Sequence, residues 1–274
     1  MRKKLGFALG AGGSRGVAHI GFLKAMEEAG ITPDYITGTS MGSIVGACYA
    51  KGYSADFMLE EVKKLSLIEL LDVSINPLMN GALLRAQKMR NKLSKYVNED
   101  VTFNELNIPF RCVAVDLNTG NPVVFKEDDK VCEAIVASST IPGIFRPVTK
   151  GNMMLVDGGL KCRLPINEVK EMGAEVVVAI DVLGELRPSY KKRNVFSLLF
   201  RAYDIMDDEI TRRKLKEQKA DLIITPDLGD MDLFRLKELT KAYEQGYKAG
   251  KENVDKILKL IEQKPKRQPT KKNK

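Results

Sequence analysis

Residues 176–181 read Val-Val-Val-Ala-Ile-Asp, an apolar run unbroken until Asp181 where a half-exposed strand would alternate. A strand of that kind has to be covered on both faces. The shorter run at 222–225 has the same character. Strands buried on both faces belong to parallel sheets flanked by helices, and the remaining pattern supplies those helices. Residues 5–9 form a short apolar run ending in glycines, which reads as a buried strand followed by a turn. Helical periodicity follows over 17–29 through Val17, Ile20, Phe22, Leu23 and Met26, and stops at Gly30.

Further strands are expected at 35–37, 110–116, 122–125 and 153–156. Further helices are expected at 43–50, 55–65, 130–138, 167–172, 195–219 and 235–263. Alternating βα units imply right-handed crossovers and a three-layer α/β/α sandwich with a mostly parallel central sheet. No internal repeat or linker interrupts residues 1–263, which read as a single domain. The stretch 67–88 is least regular, broken by Asn76-Pro77 and Asn80-Gly81, and reads either as a flap over a site or as an ordinary surface connection.

Charge narrows the partners. The chain of 274 residues carries a formal +8, but residues 264–274 hold six basic residues and no acid. Without them the remainder is near +2. The basicity is therefore largely a tail, expected to be disordered. Such a tail can support weak, salt-sensitive association with an anionic membrane, or serve only as a solubilising segment. No DNA- or RNA-recognition motif is present, so nucleic acid is not an expected partner. No run of about 18 apolar residues occurs, which excludes a spanning helix. The opening Met1-Arg-Lys-Lys resembles a signal peptide only until Gly10-Ala-Gly-Gly and Arg15, and a cytoplasmic protein is expected. Cys48, Cys112, Cys132 and Cys162 lie at no metal- or redox-type spacing and read as reduced core thiols.

Three short segments carry chemistry. Gly38-Thr-Ser40-Met41-Gly42 has the G-x-S-x-G form between a short strand and a small-residue helix. A sharp turn there lifts the Ser40 oxygen out of the sheet, and the helix N-terminus favours negative charge nearby. A helix-capping serine is the plainer use of the same pattern. Gly10-Ala-Gly12-Gly13-Ser14-Arg15-Gly16 follows the first strand and opens the first helix, so its backbone N–H groups can form an anion-binding concavity. It fits neither the dinucleotide-binding spacing nor a Walker A motif. Asp157-Gly158-Gly159 ends a strand and can project its carboxylate into a cleft, although an Asp in a simple turn has the same sequence. The single histidine, His19, lies upstream of Ser40 in a mostly apolar helix. No histidine exists to complete a Ser…Asp…His order. An activated Ser40 would need a carboxylate or a lysine as its base.

Together, residues 10–21, 38–43, 138–145 (Ser-Ser-Thr-Ile-Pro-Gly-Ile-Phe) and 157–159 resemble the patatin-like phospholipase family, in family order. That resemblance implies a serine lipid acyl hydrolase acting on a lipid or acyl-ester substrate, with no cofactor and no metal. It implies Ser40 as nucleophile and Asp157 as its base. Backbone groups of Gly12, Gly13, Ser14 and Met41 would form the oxyanion hole, and Gly38 and Gly42 would shape the elbow. Arg15, Gly16, Gly158 and Gly159 match the family's supporting positions. Two departures stand out: Ala11 replaces a frequent glycine, and Leu160-Lys-Cys-Arg163 follows Asp-Gly-Gly. Lys161 and Arg163 read as solvated loop charges, or alternatively as contacts for a phosphate head group. The apolar stretch 195–203 reads as a core or dimer helix before an interfacial one. A non-catalytic scaffold that keeps the fold is the rival to the enzyme.

Overall fold

A computed structural model describes residues 2–64, 86–186, 188, 195–229, 231 and 238–262. The irregular stretch 67–88, read as a flap or a surface connection, falls in large part outside these residues, and the basic tail wholly. The strands are β1 (Leu5–Leu9), β2 (Tyr35–Thr39), β3 (Phe110–Asp116), β4 (Pro122–Phe125), β5 (Val148–Lys150), β6 (Met153–Asp157), β7 (Val176–Ile180) and β8 (Leu222–Ile224). The helices are α1 (Val17–Glu28), α2 (Met41–Lys51), α3 (Ala55–Lys63), α4 (Gln87–Leu93), α5 (Val131–Ser138), α6 (Ile166–Glu171), α7 (Val195–Glu217) and α8 (Leu239–Glu262).

The eight strands among the described residues join one sheet, in the order β5-β6-β3-β2-β1-β7-β8, with β4 also paired to β3. The β3-β2-β1-β7-β8 portion is parallel, while β4, β5 and β6 pair antiparallel. The sheet is thus mixed but mostly parallel, as the apolar runs require.

Strand alternation divides the interior. Leu5, Phe7 and Leu9 of β1, with Val176, Val178 and Ile180 of β7, enter a large core with α1 and α8. Ala8, Val177 and Ala179 face the other way, onto Leu164, Ile166 and Val169. Every residue of β1 and β7 is buried, so the two-sided cover expected at 176–181 is present. Helices line both faces, and the three layers follow.

The differences from the sequence reading are local. The second strand runs on to Thr39, and α2 begins at Met41 rather than Ser43. Two short elements were not foreseen. In β5, three residues pair only along β6 and bury little apolar surface, so no hydrophobic run marks them. The seven-residue helix α4, about two turns, closes the irregular stretch, with only Met89 and Leu93 buried. Among the described residues, no helix is long and apolar enough to cross a membrane.

Candidate active site

The register of β3 builds the site. Cys112 and Val113 pair with β2 on one side and β4 on the other, while Ala114 and Val115 pair with β6 and β4. A strand has two edges. Therefore β2 and β6 share the edge opposite β4, end to end, and their C-termini meet. Thr39 is registered with Val113 and Asp157 with Ala114, one residue further on. Residues 40 and 157 are brought together by backbone ladder alone.

Ser40 follows β2 at φ 53, ψ −125, a left-handed backbone that costs a non-glycine residue of order 1–3 kcal/mol. The turn continues directly into α2, where the Ser43 and Ile44 amides donate to the Ser40 carbonyl. Gly42 makes the bend sterically feasible, since a Cβ there would lie 2.2 Å from the Leu9 carbonyl oxygen. The Ser40 amide donates to Ser138 Oγ at 2.9 Å, and that hydroxyl donates to the Val113 carbonyl at 2.7 Å. Ser138 thus ties the strained turn to β3. The sequence motif at 138–145 contains it, but nothing in the pattern assigned it that task.

Ser40 Oγ donates to Asp157 Oδ2 at 2.5 Å, and the Gly159 amide donates to Oδ1 at 2.8 Å. Both side chains are buried, Ser40 5% and Asp157 4% exposed. Burial pushes the Asp157 carboxyl up to about 6, with Asp207 adding to the rise and the Ser40 and Gly159 hydrogen bonds opposing it. A carboxylate so raised is ionised at pH 7 yet more basic than an exposed one.

The glycine loop lies against this pair. The Gly10 amide donates to Ile180 and the Ala11 amide to Arg163, after which a 3-10 turn, Gly13–Gly16, leads into α1. The first N–H groups of such a turn have no acceptor within it. A Cβ on Gly16 would sit 2.3 Å from Met41 Cγ, so loop and elbow are in direct contact. His19 is fully buried, and its Nε2–H donates to the Gly10 carbonyl at 2.8 Å. Burial pushes its pKa down to about 4, leaving it neutral. It braces the loop as a packing residue. Arg15 Nε donates to the Met231 carbonyl at 2.6 Å.

Arg163 is not a solvated loop charge. It is 6% exposed, with Nη2 donating to Asp181 at 2.8 Å and Nη1 to Asp207 at 2.9 Å. Both carboxylates compensate the buried guanidinium, so it is not available to a phosphate either. Lys161 remains exposed. Arg15, Arg163, Asp181 and Asp207 line a cleft of about 910 Å³ that neither Ser40 nor Asp157 lines. The segment 195–203 proves to be two-sided: Leu198 and Leu199 are exposed, whereas the Tyr203 hydroxyl reaches Gly159. Distant pairings such as Arg163–Asp207 leave no trace in sequence spacing, which is why they were missed.

Residues 7–170 match the family described as patatin-like phospholipase. The chain belongs to that family. It is 34% identical to an uncharacterized NTE family protein of Mycobacterium bovis, over 66% of this chain and 49% of that one. It is 32% identical to patatin-like phospholipase domain-containing protein 6 of Homo sapiens, over 65% of this chain and 13% of the other. It is 33% identical to lysophospholipase NTE1 of Yarrowia lipolytica, over 65% and 12%. The chain therefore spans at most about half the length of these relatives. Among solved structures, VipD from Legionella pneumophila aligns with a TM-score of 0.57 at 13% identity, covering 93% of this chain and 67% of that one. Human GIVD cytosolic phospholipase A2 aligns at 0.50 and 10% identity, over 94% and 60%. These two show the shared α/β fold.

Proposed function

We propose that this protein is a serine lipid acyl hydrolase of phospholipase or lysophospholipase type, working through a Ser40–Asp157 dyad. One observation carries the reading: a strained serine at a strand-to-helix turn, hydrogen-bonded at 2.5 Å to a buried carboxylate. Family membership supports a lipid ester as substrate, and the Yarrowia relative's name supports a lysophospholipid in particular.

Ser40 Oγ attacks the ester carbonyl carbon while its proton passes to Asp157 Oδ2. The carbonyl becomes a tetrahedral oxyanion, stabilised by N–H groups of Gly12, Gly13, Ser14 and Met41 at two helix starts. Collapse breaks the bond to the alkoxy oxygen, which takes the proton from Asp157. Water then attacks the acyl-Ser40 ester, giving its proton to Asp157, and the proton returns to Ser40 as the carboxylic acid leaves. Arg15, Gly16, Gly158 and Gly159 keep the loop and the base in place. Hydrolysis of a short-chain p-nitrophenyl ester and labelling by a fluorophosphonate test the dyad. Ser40→Ala and Asp157→Asn are each expected to lose about 10³-fold or more in rate with the fold unchanged by circular dichroism. Full activity in either variant overturns the assignment, as does an unlabelled Ser40.

A further inference from the structure

Helix α7 presents two unlike sides. Asp207 and Thr211 are buried, Asp207 is ion-paired with Arg163, and Leu215 packs against the smaller core with Ala8 and Ile166. That side fixes the helix to the protein. The other side is bare. From 198 to 210, about three and a half turns, every described position that is exposed is apolar: Leu198, Leu199, Ala202, Ile205, Met206 and Ile210. At about 100° per residue these six share one stripe of the helix surface. Leu199 is 64% and Met206 57% exposed. A contiguous apolar surface of this kind marks a place where something docks.

Charge says what covers it. Residues 187–193, Arg-Pro-Ser-Tyr-Lys-Lys-Arg, hold four basic residues and no acid, and only Asn194 separates them from the helix. At the other end, Glu209 is held by Arg213 at 2.6 Å and by Arg212 at 3.3 Å, and Arg212, Arg213 and Lys216 are exposed. An apolar stripe with cations at both ends fits an anionic lipid surface, where the side chains enter the head-group boundary and the cations stay among the phosphates. A second copy fits worse. Six side chains are few beside the roughly 20–30 residues a side of a stable interface. Antiparallel pairing of the stripe with itself sets the end next to 187–193 beside Arg212, Arg213 and Lys216, and parallel pairing sets like segment beside like, so cations meet cations either way. We propose that the exposed stripe of α7 is the surface through which this protein docks on an anionic lipid bilayer, with 187–193 as its electrostatic anchor. The docking does not depend on the dyad.

The chain has no tryptophan, so Leu199→Trp places a single fluorescent reporter on the stripe. Phe57→Trp is the control, since its helix α3 gives Ala55 and Met58 to the large core on the opposite face of the sheet. The full-length protein is mixed with vesicles of ether-linked phosphatidylcholine and phosphatidylglycerol, and with vesicles of the phosphatidylcholine alone. These lipids contain no ester, so the result is the same whether or not Ser40 turns over. The Leu199→Trp emission is expected to shift to shorter wavelength on the mixed vesicles and to be quenched by brominated lipid, with Phe57→Trp unchanged. In co-sedimentation, Leu199→Ser combined with Met206→Ser is expected to lower partitioning by about tenfold or more. Lys191→Gln, Lys192→Gln and Arg193→Gln together are expected to do the same on the mixed vesicles only, as is high salt. An unshifted Leu199→Trp emission, or a Ser variant that binds as the wild type does, overturns the proposal. So does binding that disappears when the six basic residues of 264–274 become Gln but survives in the Ser variant. A wild-type dimer that the Ser variant converts to a monomer in analytical ultracentrifugation assigns the stripe to a second copy and overturns it as well.

Discussion

Thr39 and Asp157 are registered against consecutive residues of β3, Val113 and Ala114, although 117 residues of chain separate Asp157 from the serine that follows Thr39. Ser40 and its carboxylate partner are therefore held by main-chain hydrogen bonds along one strand edge. Side-chain contacts then refine a distance that the sheet has already set.

Ser138→Ala should detune the pair without touching either member. The substitution leaves the buried Ser40 amide without its acceptor, worth about 1–3 kcal/mol of stability. A displaced elbow is expected to lower kcat by about ten- to a hundredfold. Urea denaturation and ester hydrolysis on the same preparation check both; unchanged kcat would show that the elbow holds its own geometry.

Gly42→Ala should be far worse than its size suggests. The added Cβ would lie 2.2 Å from the Leu9 carbonyl oxygen and 2.6 Å from that of Gly10, and backbone cannot swing aside as a side chain can. A cost of about 3 kcal/mol or more is expected. Gly30→Ala is the comparison: that site has φ +67 but open space, so about 1–2 kcal/mol is expected. Equal midpoints in thermal unfolding would contradict the steric account.

Two buried groups give the fold opposing pH responses. Asp157, raised by burial to about 6, keeps its proton in the folded state between pH 4 and 6, when the unfolded chain has lost it. Stability falls there as pH rises. His19, lowered by burial to about 4, lacks a proton that the unfolded chain carries between pH 4 and 6.5, so stability there rises with pH. Each shift is worth about 3 kcal/mol, and the two nearly cancel. Asp157→Asn should therefore gain about that much at pH 7, gain nothing near pH 4, and expose the His19 response between them. Denaturation at several pH values checks this; a pH-independent difference from wild type would refute it.

Arg163→Ala should destabilise by about 3–5 kcal/mol, because Asp181 and Asp207 are left as buried anions without their cation. Adding Asp207→Asn to that variant should restore part of the loss. A double-mutant cycle in guanidinium chloride measures it, and strictly additive effects would mean the pair is not coupled.

The layered fold was readable because its carriers are local. The run at 176–181, flanked by glycine and acidic residues, reads as a two-sided strand, and the glycines at 10–16 and 38–42 mark the strand-to-helix transitions. The site was readable to the extent that its residues sit at strand ends within short motifs. What escaped was non-local: Ser138 braces a turn 98 residues away, and Arg163 bonds to a helix 44 residues on. β5 escaped for a different reason, since an edge strand of three residues needs no apolar run to exist.

The collinear arrangement of β2 and β6 has a consequence for how such a protein can diversify. When Thr39, which Ser40 follows, and Asp157 occupy adjacent rungs of one strand, the segments around them can lengthen, shorten or change composition without altering the separation of Ser40 and Asp157. Substrate preference and chemical competence then become separable traits, one written in the periphery and the other in the rungs of β3.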